Sequence, residues 1–216
     1  GRSSIFSDIR VGLRYARSRP AVLSIIAVSF AVHGFGMPVV ANLGPVWTSR
    51  VLGLSPTGVG LLAMTWGIGS MVASLAMTNV GHFRRKGYLL IGAAAGFAVC
   101  VVLFGYSRIV PLSAIINLGL GSLLTVSGVT ATSLVQRMVH NEMQGRVMSL
   151  FMMTGGISQL LTLPIGGLAQ WGTLELVMPL MGWICLGAVA SVALTQPSLR
   201  RAGGEEAADG PYRPPI

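Results

Sequence analysis

QRMVHNEMQGRVMSL, residues 136–150, places Arg137, Glu142 and Arg146 between two of the most apolar runs in the chain. Those runs, 111–135 and 147–169, are each about as long as the roughly 20 apolar residues that cross a hydrocarbon core. The stretch therefore reads as a polar hinge between two membrane spans. Working outward, the same alternation of apolar run and short basic loop recurs, and it predicts further spans over 21–43, 58–79, 87–106 and 176–194. The fold class expected is an all-α membrane protein of six transmembrane helices. Residues 1–20 form a linker, and 197–216, polar and rich in Pro and Gly, a disordered tail.

Composition points the same way. Of 216 residues, 52% are hydrophobic and 10% charged, and the mean hydropathy is +0.72, which leaves too little polar surface for a soluble domain. The partner expected is a lipid bilayer. A formal charge of +9 raises the question of nucleic acid, but the basic residues sit in short clusters at span ends with no aromatic-interleaved basic face. No nucleic-acid partner is expected. Cys100 and Cys185 fall inside apolar spans, without CxxC spacing or a nearby His, and read as packing residues rather than disulfide or metal ligands. The sequence calls for no cofactor. It begins at Gly1, with no leader pattern ahead of the first span, and reads as a piece of a longer protein.

Basic residues also orient the spans. Five lie in the N-terminal segment, three at 84–86, two in the hinge and three in the tail, while the opposite face has only Arg50 and Arg108. The positive-inside rule then puts both ends in the cytoplasm, in the plasma (inner) membrane, as an even number of spans requires. Trp47, Tyr106 and Trp171 fall at the outer ends, where interfacial aromatics belong. In the linker, Ile5, Ile9, Leu13 and Ala16 recur at helical spacing, with Arg10, Arg14 and Arg17 on other faces. This describes either an amphipathic helix on an anionic membrane surface or a solvated linker helix.

Polar side chains in lipid are costly and should gather on helices that line water or face one another. The third and sixth spans carry almost none, so both read as peripheral. The fifth repeats Gly155, Gln159, Thr162 and Gly166 on one helical face. Asn117 and Gln159 are buried amides that contact a solute or lock helices together. His33 is the one ionisable side chain in the middle of a span, and reads either as a substrate contact or proton carrier or as a neutral imidazole bonded to helix backbone. Trp66, also mid-span, stacks on a ligand or fills space.

The segments SDIRVGLRYARSRPAVLSII, VLGLSPTGVGLLAMTWGIGS and QRMVHNEMQGRVMSL, with Gln136, Glu142, Gly145, Arg146 and Ser149 in the last, resemble the second half of a major facilitator superfamily transporter. The similarity covers about residues 7–196 and is to helices seven to twelve of the drug and siderophore exporter branch, the transmembrane secretion effectors. That resemblance implies twelve helices in two halves, with the N-terminal six-helix half absent from this chain and a small-molecule substrate near the midplane. Two departures stand out. His140-Asn141 replaces the family's Pro-Asp, and VGHFRRKG lacks the Asp that often precedes the basic residues of that loop.

The function expected is therefore half of a secondary-active exporter of small amphipathic or drug-like molecules, working by alternating access, with a proton as candidate coupling ion. His33, Trp66, Asn117 and Gln159 are the substrate-path candidates. Arg84, Arg85, Glu142 and Arg146 are candidates for a cytoplasmic gate, Glu142 and Arg146 also reading as a solvated pair four residues apart. The alternatives are a truncated nontransporting membrane protein and an intramembrane serine hydrolase using His33 and Ser127. The protein is not expected to be an enzyme.

Overall fold

The computed structural model describes residues 5–79, 85–139, 141–171, 174–197 and 199. Among the described residues it contains helices and turns and no strand. Helix α1 spans Ile5–Ser18 and α2 Pro20–Ala31, and after two π-helical segments, Val32–Gly36 and Val39–Leu43, come α3 (Gly44–Arg50) and α4 (Pro56–Asn79). Then follow α5 (Lys86–Tyr106), α6 (Val110–Met138), α7 (Asn141–Trp171) and α8 (Leu174–Thr195). Six helical stretches are long and apolar enough to cross a membrane, the first running unbroken over Pro20–Arg50.

Two boundaries differ from the sequence reading. The helices take up most of the expected hinge, because α6 runs to Met138 with Arg137 in its last turn, and α7 starts at Asn141 with Arg146 inside it. The first span also continues past residue 43, although prolines stand at 38 and 45. A proline ring in a helix clashes with the carbonyl four residues back and offers no N–H. Widening the turn moves that carbonyl away. A π segment precedes each proline: Met37 N–H reaches back five residues to the Val32 carbonyl, and Gly44 N–H likewise to Val39. The helix absorbs both prolines by widening instead of ending. The chain does turn at Gly53, whose φ of 66° is a left-handed conformation that glycine adopts without strain.

Two close seams hold the bundle together. Along α4 and α6, Gly69 abuts the Leu118 carbonyl and Gly121 the Trp66 carbonyl. Along α5 and α8, a Cβ at Gly105 would meet Pro179 N at 2.8 Å and one at Gly182 would meet Val102 N at 2.8 Å. Backbones approach this closely only where side chains are absent. Elsewhere on α5, Gly96 faces Leu123 while Gly92 faces nothing within 4 Å.

Within this six-helix unit the third span, expected to be peripheral, is more enclosed than the second and fifth, while the first span is the most enclosed. In the most apolar stretch of α5, 50% of residues are buried, against 17% in α4 and 19% in α7. Leu90, Ala94, Phe97 and Val101 of α5 are inaccessible. The physical reason is the number of neighbours: α5 packs against α6, α8 and the first span, whereas α4 packs mainly against α6. Helices α4 and α7 instead leave Leu61, Met64, Met71, Leu75, Leu160 and Leu163 exposed.

Linker helix α1 is docked on the bundle. Gly12, Tyr15 and Ala16 are buried, and a Cβ at Gly12 would meet Leu150 and the Arg146 carbonyl of α7 at 2.8 and 3.2 Å. Leu13, expected on the apolar face, is exposed, because the docking face is the one on which glycine lets α7 come close. Residues 200–216 of the expected tail lie outside the described residues.

Candidate functional site

A cavity of about 310 Å³ opens between the first, second and fourth spans. One wall is the first span from Met37 to Thr48; the facing wall is α4 from Val59 to Trp66, and Phe104 and Asn117 complete it. Its volume falls at the small end of ligand pockets. The widened turns give this wall its shape, since Met37, Val40, Ala41 and Gly44 all come from the stretch the two prolines distort.

Two of the four substrate-path candidates meet here, Trp66 half-buried and Asn117 only 6% exposed. The Asn117 amide donates to the Leu62 carbonyl at 2.7 Å and to Thr65 Oγ1 at 3.1 Å, and the Thr65 hydroxyl itself donates to Leu62 at 2.6 Å. Both amide hydrogens are therefore committed to α4, and the bonding fixes which end of the amide carries nitrogen. What Asn117 retains is its carbonyl oxygen. Thr48 donates to the Pro45 carbonyl at 2.9 Å. Among the described residues no charged side chain lines the cavity.

The other two candidates lie elsewhere. His33 Nδ1 is 2.9 Å from the Ser29 carbonyl one turn back, so that nitrogen is the donor and the ring is anchored to its own helix. Gln159 is exposed on α7, outside the cavity. On the same stripe Thr162 accepts a hydrogen bond from Asn42 Nδ2 at 3.1 Å, across to the π segment of the first span. Of the gate candidates, Arg85 is exposed in the turn before α5, and Arg146 is half-buried with Nη1 4.0 Å from Met143 Sδ. Arg84 and the Glu142 side chain lie outside the described residues. Lys86 donates to Ser133 Oγ at 3.1 Å and ties the start of α5 to α6.

At the opposite end, Arg108 does two things at once. It pairs with Glu175 at 3.1 Å, and its guanidinium lies 5.0 Å from the centroid of the Trp47 ring. Trp47 is fully buried, not interfacial as its position suggested, because the first span continues past it and Arg108 covers it. Tyr106 is exposed, and the Trp171 side chain lies outside the described residues. Sequence reasoning missed Thr48, Asn42 and Glu175. Thr48 and Glu175 sit in what read as a loop or turn and Asn42 at the very end of an expected span, and a polar residue in such a place carries no signal until the helix is seen to run through it.

The Cys100 and Cys185 thiols are free. Among the described residues no group of His, Cys, Asp or Glu could hold a metal ion, and His33 and Ser127 share no hydrogen bond. Residues 2–163 match the family described as the Major Facilitator Superfamily. No curated protein matches the chain.

Proposed function

The chain belongs to the Major Facilitator Superfamily, a family of membrane transporters, and from that premise we propose that it is the C-terminal half of a secondary-active exporter of small amphipathic solutes. The observation that carries this reading is the cavity in which Trp66 and Asn117 meet, walled by three of the four polar-bearing spans. A mostly apolar wall with one amide and one hydroxyl suits a hydrophobic solute better than a sugar or a phosphate, which would want charges or many donors. The exposed apolar faces of α4 and α7 are what a second six-helix half would cover, and alternating access is then rocking of one half against the other. The distribution of basic residues supports cytoplasmic ends in a plasma membrane. Export rests on the resemblance quoted from the sequence.

His33 is the candidate carrier of a coupled proton. With Nδ1 committed to Ser29, Nε2 is the nitrogen open to exchange. The experiment is solute flux by the full-length protein in proteoliposomes across a set of lipophilic dyes. Trp66→Ala should lower flux about tenfold, the size of losing one well-packed aromatic contact of about 1.4 kcal/mol. His33→Gln should leave downhill flux intact and abolish its dependence on the pH gradient. Flux unchanged in Trp66→Ala would reject the path, and pH coupling unchanged in His33→Gln would remove the proton role. Absence of flux for every solute tested would favour the truncated, nontransporting alternative.

A further inference from the structure

Hydrogen-bond accounting at the cavity wall narrows what can occupy it. The two amide hydrogens of Asn117 and the hydroxyl hydrogen of Thr48 are already donated within the protein. Their oxygens retain lone pairs. A backbone acceptor joins them. In an α-helix the Val40 carbonyl would take the Gly44 N–H, but that N–H is diverted to Val39 by the widened turn. The next residue along, which a π turn would use, is Pro45 and has no N–H. Val40 O thus loses both donors a helix would supply, and Val40 lines the cavity.

Set against these acceptors, the Trp66 indole N–H is the one side-chain donor among the lining residues not already assigned. There is also no lysine or arginine in the wall to hold an anion, and no carboxylate to offset a buried cation. We propose that this cavity binds an uncharged aromatic solute that brings its own hydrogen-bond donors, such as a phenol or an aryl amine in its free-base form. Its ring packs on Trp66 and Phe104, and its O–H or N–H donates to the free oxygens of Asn117, Thr48 or Val40. The proposal rests on the transporter reading only in treating the solute as cargo.

The test is equilibrium binding to the full-length protein in nanodiscs, with empty nanodiscs subtracted for partition into lipid. Three probes of one frame are compared: 2-naphthol, its methyl ether and 2-naphthoate. A site built around acceptors rejects an analogue that lacks the donor, so the naphthol should bind at least about tenfold more tightly than the ether, with no saturable binding of the naphthoate. Two substitutions locate the site. Trp66→Leu removes the aromatic wall, and Ala41→Leu fills the space from an exposed position outside the Asn117 hydrogen bonds. Each should reduce saturable naphthol binding by about tenfold or more.

Equal binding of naphthol and ether, preference for the naphthoate, or saturable binding that survives both substitutions would overturn the proposal. Because binding is read without a gradient, it separates from transport. Selective naphthol binding with no flux of any solute would support the site and reject the exporter. Flux of lipophilic solutes with no preference for donors would do the reverse.

Discussion

The seam between α4 and α6 and the seam between α5 and α8 are built on the same device and finished differently. Each brings two backbones together at glycines, Gly69 and Gly121 in one, Gly105 and Gly182 in the other. The first is then laced with hydrogen bonds: Ser122 Oγ shares its hydrogen between the Gly69 carbonyl across the seam and its own Leu118 carbonyl, each at 2.9 Å, Ser70 Oγ donates to the Gly121 carbonyl at 3.3 Å, and Asn117 to Leu62. The second seam is dry within the membrane, Gly105 and Gly182 meeting Pro179 and Val102. Close approach therefore does not need polar groups. What the polar groups add is register, because a serine bonded to a carbonyl on the partner helix fits one offset only. The laced seam gives the cavity Leu62, Trp66 and Asn117 while the dry one gives it only Phe104, so register is fixed where the wall of a solute site must keep its shape.

The largest effect expected is at the glycines, and it should be alike in the two seams. Gly121→Leu drives a side chain into the Trp66 carbonyl, and Gly182→Leu one into Val102. Overpacking of this kind costs about 1–3 kcal/mol or more, so both should unfold markedly earlier in equilibrium unfolding from mixed micelles. A large loss in only one would mean the seams do not share a common mechanism. The next effect separates them. Asn117→Leu removes two interhelical bonds and should cost about 1–2 kcal/mol, the upper end for hydrogen bonds between transmembrane helices. Ser122→Ala loses one bond and should cost about 0.6 kcal/mol. If Asn117→Leu were neutral in stability yet abolished naphthol binding, the amide would belong to the solute and not to the seam.

The spans were legible because length and hydropathy alone report them. All six expected spans fall within helices, and the basic loops that separate them needed no knowledge of packing. The site was legible only in part. Trp66 and Asn117 are rare residue types in lipid, and their cost made them visible. His33 and Gln159 are as costly, yet neither reaches the cavity, because a polar residue's presence on a span does not say which of its neighbours will satisfy it. Ser70 and Ser122 show the same thing: the Ser70 hydroxyl donates to the opposite helix, and Ser122 shares its one hydrogen between the opposite helix and its own Leu118 carbonyl. The π turns were hidden for a different reason. The expected first span already ran through Pro38, but nothing in residues 32–44 announces that the helix will widen around Pro38 and Pro45 and carry Thr48 into the cavity wall.

The smallest effect concerns the polar tie that the dry seam does possess. Arg108 follows α5 and Glu175 opens α8, so their ion pair fastens that seam at its end, where both side chains are about half exposed, at 48% and 55%. A pair in that setting is screened by water and costs side-chain entropy to hold, and its net value is about 0.5 kcal/mol or less. Glu175→Gln should accordingly leave unfolding almost unchanged. Arg108→Gln should cost slightly more, because the guanidinium also covers the Trp47 ring, a cation–π contact of about 0.5–1 kcal/mol at an exposed site. The double substitution separates the two contributions, since additive losses in a double-mutant cycle mean that Arg108 stabilises through Trp47 alone. A coupling above about 1 kcal/mol would show instead that this end of the seam is held by charge, and that the contrast between laced and dry seams applies only inside the membrane.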